Sequence, residues 1–378
     1  MSQPVPAARR EPETDIRRAR NRHDSIDPAI SEAQDDGAPP IRPSSRRTVA
    51  RVAGAVGAAV LLLVATWLSI TVGSRPVPLS TVLLALFGDP GATTDAAVVL
   101  DLRVPRTAVA IAAGAALGLS GGVIQAVTRN PLADPGVLGI TPGSAFAVAV
   151  AVGFLGVDSA SDYRWYAFGG ALVVVIAVSL IGAIGRDGGS PARTTLAGVA
   201  LGAVFIGITS SIVLADPRRF DAVRSWEAGA LEGRGWDDLL PVLPLLAVGA
   251  VLALILTRSF NSLALGEDRA AALGVRVGLV RLLAAFAIAF LAGGATAVAG
   301  PLVFVGLMIP HVARWIAGPD QRWILPLCIV LGPSLLLVAD VLGRVILPPG
   351  EIPVGIVTAA LGAPALIALA RRRAVIAP

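Results

Sequence analysis

Lysine is missing from all 378 residues of the chain, and each of its 31 basic residues is an arginine. A P-loop nucleotide site requires a lysine that reaches the transferred phosphates, so the motif G-x-x-x-x-G-K-[ST] cannot occur here. Lysine Schiff-base chemistry is also impossible. The sequence therefore excludes an ATP site of the Walker type, and no catalytic residue is predicted.

Cysteine and charge are scarce as well. The single cysteine, Cys328, excludes an intrachain disulfide and a thiolate metal cage, and its apolar surroundings favour a small core residue. Charged residues make up 15% of the chain against 55% hydrophobic residues, which is too little charge for a soluble protein of this length. Apolar runs of about 18 to 22 residues have the length of membrane-crossing helices. The predicted fold class is all-α, a polytopic integral membrane protein.

The chain divides into three predicted parts. Residues 1–47 are rich in Arg, Asp, Glu and Pro and have few large apolar side chains, so we predict a disordered tail that is not a signal peptide. Residues 48–373 form the predicted transmembrane domain, and 374–378 a short C-terminal tail. Ten spans are predicted, at about 50–71, 104–126, 135–155, 166–185, 194–215, 238–257, 280–299, 301–317, 323–341 and 352–370.

Arginine placement predicts the orientation of these spans. Arginines are more frequent in the segments that face the cytoplasm when both termini lie inside, which is the arrangement that cytoplasmic basic residues favour. The 216–237 loop weakens this bias, because it places four arginines outside. Prolines break most of the spans, and a bilayer tolerates broken helices where protein or a water-filled cavity satisfies the freed backbone groups. This pattern indicates a transport path.

The spans contain almost no ionisable residues. Asp340 is near an outer end, and His311 and Arg314 are near an inner end. An ion-coupled secondary transporter would need a titratable group at midplane depth, and a membrane enzyme would need converging reactive side chains. Their absence favours energy from a separate nucleotide-hydrolysing partner. His311 is read as a packed residue rather than a ligand, and no metal site is predicted.

Two charged regions outside the bilayer allow two readings each. The cytoplasmic segment 264–275 has acids at its start and Gly274 near its end, which suits a short helix that either docks into a partner or lies on the membrane surface. On the outer side, Arg103 and Arg106 begin the second span and Arg344 ends the ninth. These arginines either snorkel to the interface, which the residues alone favour, or pair with carboxylates of a binding protein.

Several motifs together resemble the FecCD-type permeases of ABC importers for iron–siderophore complexes, haem and cobalamin. The motifs are LRVPR (102–106), GAALGLSGGVIQAVTRNPLADPGVLGITPG (114–143), LAGVALG (196–202), ALGEDRAAALGV (264–275), AGPLVFVGLMIPHVAR (299–314), LVADVLGR (337–344) and EIPVGIVTAALGAPALIALARRR (351–373). They cover nearly the whole chain after the tail. The resemblance implies a ten-span permease of the cobalamin/siderophore type in a bacterial cell membrane.

The resemblance also implies partners and site residues. The partners are a second permease subunit (another copy or a different chain), two cytoplasmic ATPase subunits that use ATP and Mg, and an extracellular substrate-binding protein; no nucleic acid is involved and this chain binds no cofactor. The implied docking residues for the binding protein are Arg103, Arg106 and Arg344. The implied ATPase-coupling residues are Leu265, Gly266, Glu267, Leu273, Gly274 and Val275.

The pathway is the least defined part. The resemblance puts the inner gate just before the fifth span, at Ser190, Pro191, Ala192 and Arg193, where proline departs from the family's polar gate residues. Thr209, Ser210 and Thr358 are expected to line an otherwise apolar path. A ferric siderophore is the expected substrate, with cobalamin or haem as alternatives, and an ion-coupled secondary transporter as the alternative of another class.

Overall fold

The computed structural model describes residues 44–89, 91, 93–157, 159–183, 191–215 and 226–374. Within these ranges the chain is helical and has no β-strand. The predicted tail lies outside the described residues up to position 43, as do 375–378 of the short C-terminal tail and the gate residue Ser190. The residues from Val49 onward form one compact unit.

Thirteen helices are labelled among the described residues. They are α1 Ser44–Thr71, α2 Leu79–Phe87, α3 Thr94–Thr128, α4 Ile140–Phe154, α5 Ala160–Ala183, α6 Pro191–Ala215, α7 Leu243–Ile255, α8 Thr257–Leu263, α9 Glu267–Ala272, α10 Val277–Ala299, α11 Val305–Ala317, α12 Gln321–Ile346 and α13 Val354–Ala374. Short turns of helix at Pro135–Leu138 and Trp236–Leu239 join some of them.

The predicted spans all correspond to helices in the described part of the chain. Six helices are long and apolar enough to cross a membrane, α7 and α8 form a further span that bends by 49°, and α4, α11 and α13 are shorter apolar helices. The all-α, polytopic fold is thus confirmed. The boundary at α4 differs from the prediction, because Asp134 caps a separate turn at Pro135–Leu138 by accepting a hydrogen bond from the Gly136 amide at 2.8 Å.

Helix α3 lies at the centre of the bundle. Of its most apolar stretch 78% is buried, against 17% for α1 and α6. The reason is its row of small residues, because a Cβ added at Gly114 would lie 2.7 Å from the backbone of Pro333 in α12. Backbones approach this closely only where side chains are absent. Small residues therefore place α3 among its neighbours, and the more exposed α1 and α6 are at the edge.

The bundle is interrupted between α10 and α11. Gly300 has a φ of +74°, and a Cβ there would lie 2.4 Å from the Trp226 carbonyl oxygen, so this position requires glycine. The segment that contains Trp226 also contacts α13, since the Gly355 amide donates to the Gly229 carbonyl at 2.9 Å. The break, the 226–229 segment and the start of α13 are thus packed together.

Candidate functional site

Two groups of charged residues lie at opposite ends of α3. One, which we call the arginine face, consists of Arg103, Arg106, Asp340, Arg344 and Glu351. The other is around α9, beyond the last residue of α3, and we call it the Glu267 face. The stretch Val104–Thr128 has 25 residues, and at 1.5 Å per residue it is about 37 Å long, more than the hydrocarbon thickness of a bilayer. The two faces are therefore on opposite sides of the bundle.

On the arginine face, two buried arginines close the end of α1. Arg103 donates to the carbonyl oxygens of Ile70 at 3.0 Å and Thr71 at 2.7 Å. Arg344 donates to that of Ser69 at 2.8 Å. The last carbonyls of a helix have no intrahelical donors, and here the guanidinium groups supply them. Both arginines therefore have a structural task within the chain.

The carboxylates of the arginine face hold the third arginine. Asp340 is between Arg106, at 2.6 Å, and Arg344, to which it is also paired. Glu351 accepts from Arg106 at 2.7 Å and from the Ser74 hydroxyl at 3.0 Å. Arg106 and Arg344 thus pair with the two carboxylates, while Arg103 contacts backbone carbonyls, which leaves one net positive charge in the cluster.

Exposure distinguishes the three arginines that were predicted to dock a binding protein. Arg103 and Arg344 are 5% and 2% exposed, so the snorkelling alternative does not describe them. The Arg106 side chain is 13% exposed, as is that of its partner Glu351. Burial raises the pKa of the Glu351 carboxyl, but the Arg106 guanidinium, the Ser74 hydroxyl and the charge of Arg344 together outweigh burial and lower the pKa. Glu351 is therefore ionised at neutral pH and keeps its pair with Arg106.

The Glu267 face contains the predicted short helix. Helix α9 has six residues, and Gly266 and Gly274 flank it with φ values of +107° and +83°. Leu265 is 55% and Leu273 65% exposed, while Ala270 of the same segment is fully buried. Among the predicted coupling residues, Val275 packs partly against the core. Two large exposed apolar side chains thus flank a short helix whose Ala270 is buried against the bundle.

The carboxylate of Glu267 points to the bundle rather than away from it. Its Oε1 is 2.5 Å from Arg281 Nη2 and 3.2 Å from Arg129 Nη2. A second contact holds the preceding helix α8, because Asn261 donates to Asp320 at 2.7 Å. Sequence reasoning missed these partners, because they are far apart in the chain and follow no local pattern.

The predicted pathway residues are not brought together within this chain. Pro191 and Ala192 begin α6, and only their backbone is described. Thr209 is 6% exposed, and its hydroxyl has no hydrogen-bond partner among the described residues, whereas Ser210 beside it is exposed. Thr358 on α13 is 2% exposed and donates to the Gly355 carbonyl at 3.0 Å. Helix α6 packs on α4 and α5, while α13 packs on α11 and α12.

Asp340 and Arg314, two charged groups inside the spans, are each paired within the chain. Asp340 is held between two arginines, as described above. Near the other end, Arg314 donates to Gln125, whose amide in turn donates to the carbonyls of Ala133 at 3.2 Å and Leu307 at 3.1 Å. His311 is buried next to this group and touches the Leu307 carbonyl. No cluster of three or more metal-ligating side chains occurs in the described part of the chain.

Apolar helices of membrane-spanning length, broken helices and two charged ends define a polytopic helical membrane transport protein. The chain belongs to the FecCD transport family, whose model matches residues 61–372.

Characterised relatives match over most of the chain. It is 48% identical to the ferric enterobactin transport system permease protein FepD of Escherichia coli (strain K12), over 86% of this chain and 97% of that protein. It is 39% identical to the iron(3+)-hydroxamate import system permease protein FhuB of Bacillus subtilis (strain 168), over 86% and 85%. A solved structure of an inward-facing metal-chelate type ABC transporter aligns with a TM-score of 0.73 at 27% identity, covering 84% of this chain and 98% of that one. The chain is therefore a membrane-embedded transport subunit.

Proposed function

We propose that the chain is the permease subunit of an ATP-driven importer that carries ferric siderophores across a bacterial cell membrane. The observation that carries the proposal is the 48% identity to a ferric enterobactin permease over nearly its full length. A relative named for iron(3+)-hydroxamate import and one for Fe(3+) dicitrate, 36% identical over 95% of its length, point to the same substrate class. The shared chemistry is a ferric ion enclosed in an organic chelator.

Energy for this transport comes from partner subunits. The chain has no lysine for a P-loop, and Asp340 and Arg314 inside its spans are paired with other side chains. ATP and Mg are used by two separate ATPase subunits, this chain binds no cofactor, and a second permease subunit completes the pathway. The mechanism is alternating access, in which closure of the ATPase pair switches the pathway between its two sides.

The ATPase subunits bind at the Glu267 face, which lies in the cytoplasm with both termini. Helix-in-groove binding needs a short helix with exposed apolar anchors, and Leu265 and Leu273 fit that requirement. Gly266 and Gly274 bound the helix with left-handed backbone, and Val275 returns the chain to the core. Glu267 belongs to the same segment but is held by this chain's own arginines.

The binding protein docks on the arginine face, outside the cell. We assign the direct contact to Arg106, whose side chain is partly open and pairs with the equally open Glu351. A carboxylate of the binding protein can exchange with Glu351 on this arginine. Arg103 and Arg344 are buried, and they support the structure of the face and add positive charge to it.

The gate lies at the start of α6, at Pro191 and Ala192, and the path runs along Thr209, Ser210 and, on α13, Thr358. The unpartnered hydroxyl of Thr209 supports this assignment, because a buried hydroxyl without a partner is costly unless it is used in another state. Apart from these hydroxyl groups, the proposed path is apolar. Substrate selection therefore rests mainly with the binding protein.

The proposed substrate class is tested by uptake in a strain that lacks this gene. We expect uptake of ⁵⁵Fe bound to a tris-catecholate or hydroxamate chelator to fall, and to return when the gene is restored. Uptake of labelled cobalamin and haem should stay unchanged. Loss of cobalamin or haem uptake with normal ferric-chelate uptake would overturn the assignment.

A further inference from the structure

A single carboxylate oxygen on the Glu267 face joins three separate helices. Glu267 is the first residue of α9, Arg281 is on α10, and Arg129 directly follows α3. Both guanidinium groups reach the same Oε1, at 2.5 Å and 3.2 Å. The two arginines would repel each other at this spacing without the carboxylate. Glu267 therefore determines how closely the ends of α3 and α10 approach α9.

The arrangement contributes little to global stability. The three side chains are between 22% and 41% exposed, and ion pairs at such positions are worth at most about 1 kcal/mol each. The effect that distinguishes this contact is geometric, because it fixes a short surface helix to α3, the most buried helix of the bundle. The Asn261–Asp320 contact holds the preceding helix α8 separately, so it does not replace the contact of Glu267.

Helix α3 connects this contact to the opposite side of the bundle. Its stretch Val104–Thr128 runs from the arginine face to the Glu267 face, with Arg103 and Arg106 at the beginning of that stretch and Arg129 directly after its last residue. Its backbone packs against α12 at Gly114 and against α11 at Gly121, where an added Cβ would lie 1.9 Å from the Gly306 carbonyl oxygen. A helix packed this tightly moves as a rigid body, since close-packed interiors transmit displacement rather than absorb it.

We propose that Glu267, Arg129 and Arg281 are positioning residues that link movement of α9 to movement of α3, and so connect ATP hydrolysis on one side of the membrane to the docked binding protein on the other. In this scheme Leu265 and Leu273 face the ATPase subunit and Glu267 faces its own bundle. The inference rests on the proposed function, since it needs an ATPase at α9. It adds two residues, Arg129 and Arg281, which lie outside the α9 segment.

The test uses the complete importer, with permease, ATPase subunits and binding protein, in liposomes loaded with ATP. ATP hydrolysis is measured with and without binding protein carrying the ferric chelate, and uptake is measured per ATP hydrolysed. For Arg129→Gln and Arg281→Gln we expect both the stimulation by binding protein and the uptake per ATP to fall about tenfold, a typical size for coupling between two sites. The ATPase subunits should remain bound in both variants.

A double-substitution comparison separates a shared contact from independent effects. The variant Glu267→Gln/Arg129→Gln should be no worse than Glu267→Gln alone, because the first change already removes what Arg129 contacts. Additive losses would overturn the proposal. Arg129→Gln and Arg281→Gln leave the α9 surface unchanged. Their effects on stimulation and on uptake per ATP therefore test the proposal even if Glu267→Gln weakens binding of the ATPase subunits.

Two further variants serve as controls. Arg258→Gln removes an exposed arginine of α8 that has no ion pair among the described residues, and it should transport normally. Leu273→Arg should release the ATPase subunits, and if it does not, the proposed function fails. If Leu273→Arg releases them while both arginine variants retain stimulation and uptake, only the present inference fails.

Discussion

Glycine residues decide how closely α3 approaches its neighbours. A Cβ at Gly118 would lie 2.7 Å from the Cys328 carbonyl oxygen, and one at Gly122 would lie 2.5 Å from the Leu325 side chain. Sequence spacing predicts such a face, because residues four apart share one side of a helix. The structure adds Gly121, on a neighbouring side, which packs on α11 through backbone alone.

We predict that Gly121→Ala lowers the free energy of unfolding of the purified permease by about 1 to 3 kcal/mol, the usual cost of overpacking. The added methyl group would lie 1.9 Å from the Gly306 carbonyl oxygen, and backbone cannot move aside as a side chain can. Gly57→Ala is the matched control, since nothing lies within 4 Å of a Cβ at that position of α1. Thermal unfolding in detergent measures both. Equal stability of the two variants would contradict the packing described here.

At the scale of elements, the arginine face ties α1, α3 and α12 together and also carries the proposed docking contact. Arg103 and Arg344 belong to the first task, and the partly open Arg106 to the second. Hydropathy predicted these three helices. It could not predict which arginine has which role, because the roles depend on contacts such as that of Arg106 with Asp340, which are 234 residues apart in the chain. A local pattern cannot indicate such a pair.

We predict that Arg106→Gln weakens binding of the extracellular binding protein about tenfold, because one charge-assisted contact is lost. Surface plasmon resonance on the purified complex measures this affinity. Glu351→Gln is the matched control: it frees Arg106 from its internal partner and should leave the affinity equal or higher. An equal loss in both variants would mean that the cluster acts only by maintaining the structure of the face.

Other features of single elements were also beyond sequence reasoning. The predicted span 238–257 covers α7 and ends where α8 begins, whereas in the structure α8 follows α7 at a bend of 49°. The turns at Val98–Arg103 and Ala289–Gly293 are π-helical. Each such turn depends on packing against distant helices, which the composition of a run does not encode. The short helix α9, by contrast, could be predicted, because glycines and early acids mark its ends.

At the scale of the whole molecule, the residues assigned to the proposed pathway do not meet within this chain. Helices α6 and α13 pack against different neighbours, with Ser210 exposed on α6 and Thr358 buried on α13. The one cysteine, Cys328, is fully buried. The wild-type protein should therefore react little with a membrane-impermeant thiol reagent, which gives a low background for labelling of introduced cysteines.

We predict that Ser210→Cys in the complete importer is labelled in one nucleotide state and protected in the other, because alternating access opens the path to one side at a time. Leu61→Cys, on the exposed face of α1, should stay unlabelled in both states if that face contacts lipid. Permease without its ATPase subunits should show no response to ATP. Labelling of Ser210→Cys that is independent of nucleotide would contradict the assignment of Ser210 to the path.

The widened helical turn at Val98–Arg103 also limits where the chain can change in length. It lies between the arginine face and a small separate apolar cluster in which Val82 and Ala85 of α2 pack against Ala96 and Val99. A π-helical turn holds one residue more than an α-helical turn, so the loss of one residue here is absorbed when the turn closes to an α-turn, and both sides keep their orientation. The loss of a second residue would rotate the arginine face against the cluster by about 100°. Related chains should therefore differ in length by at most one residue in this turn, and larger insertions and deletions should fall in the loop before Thr94.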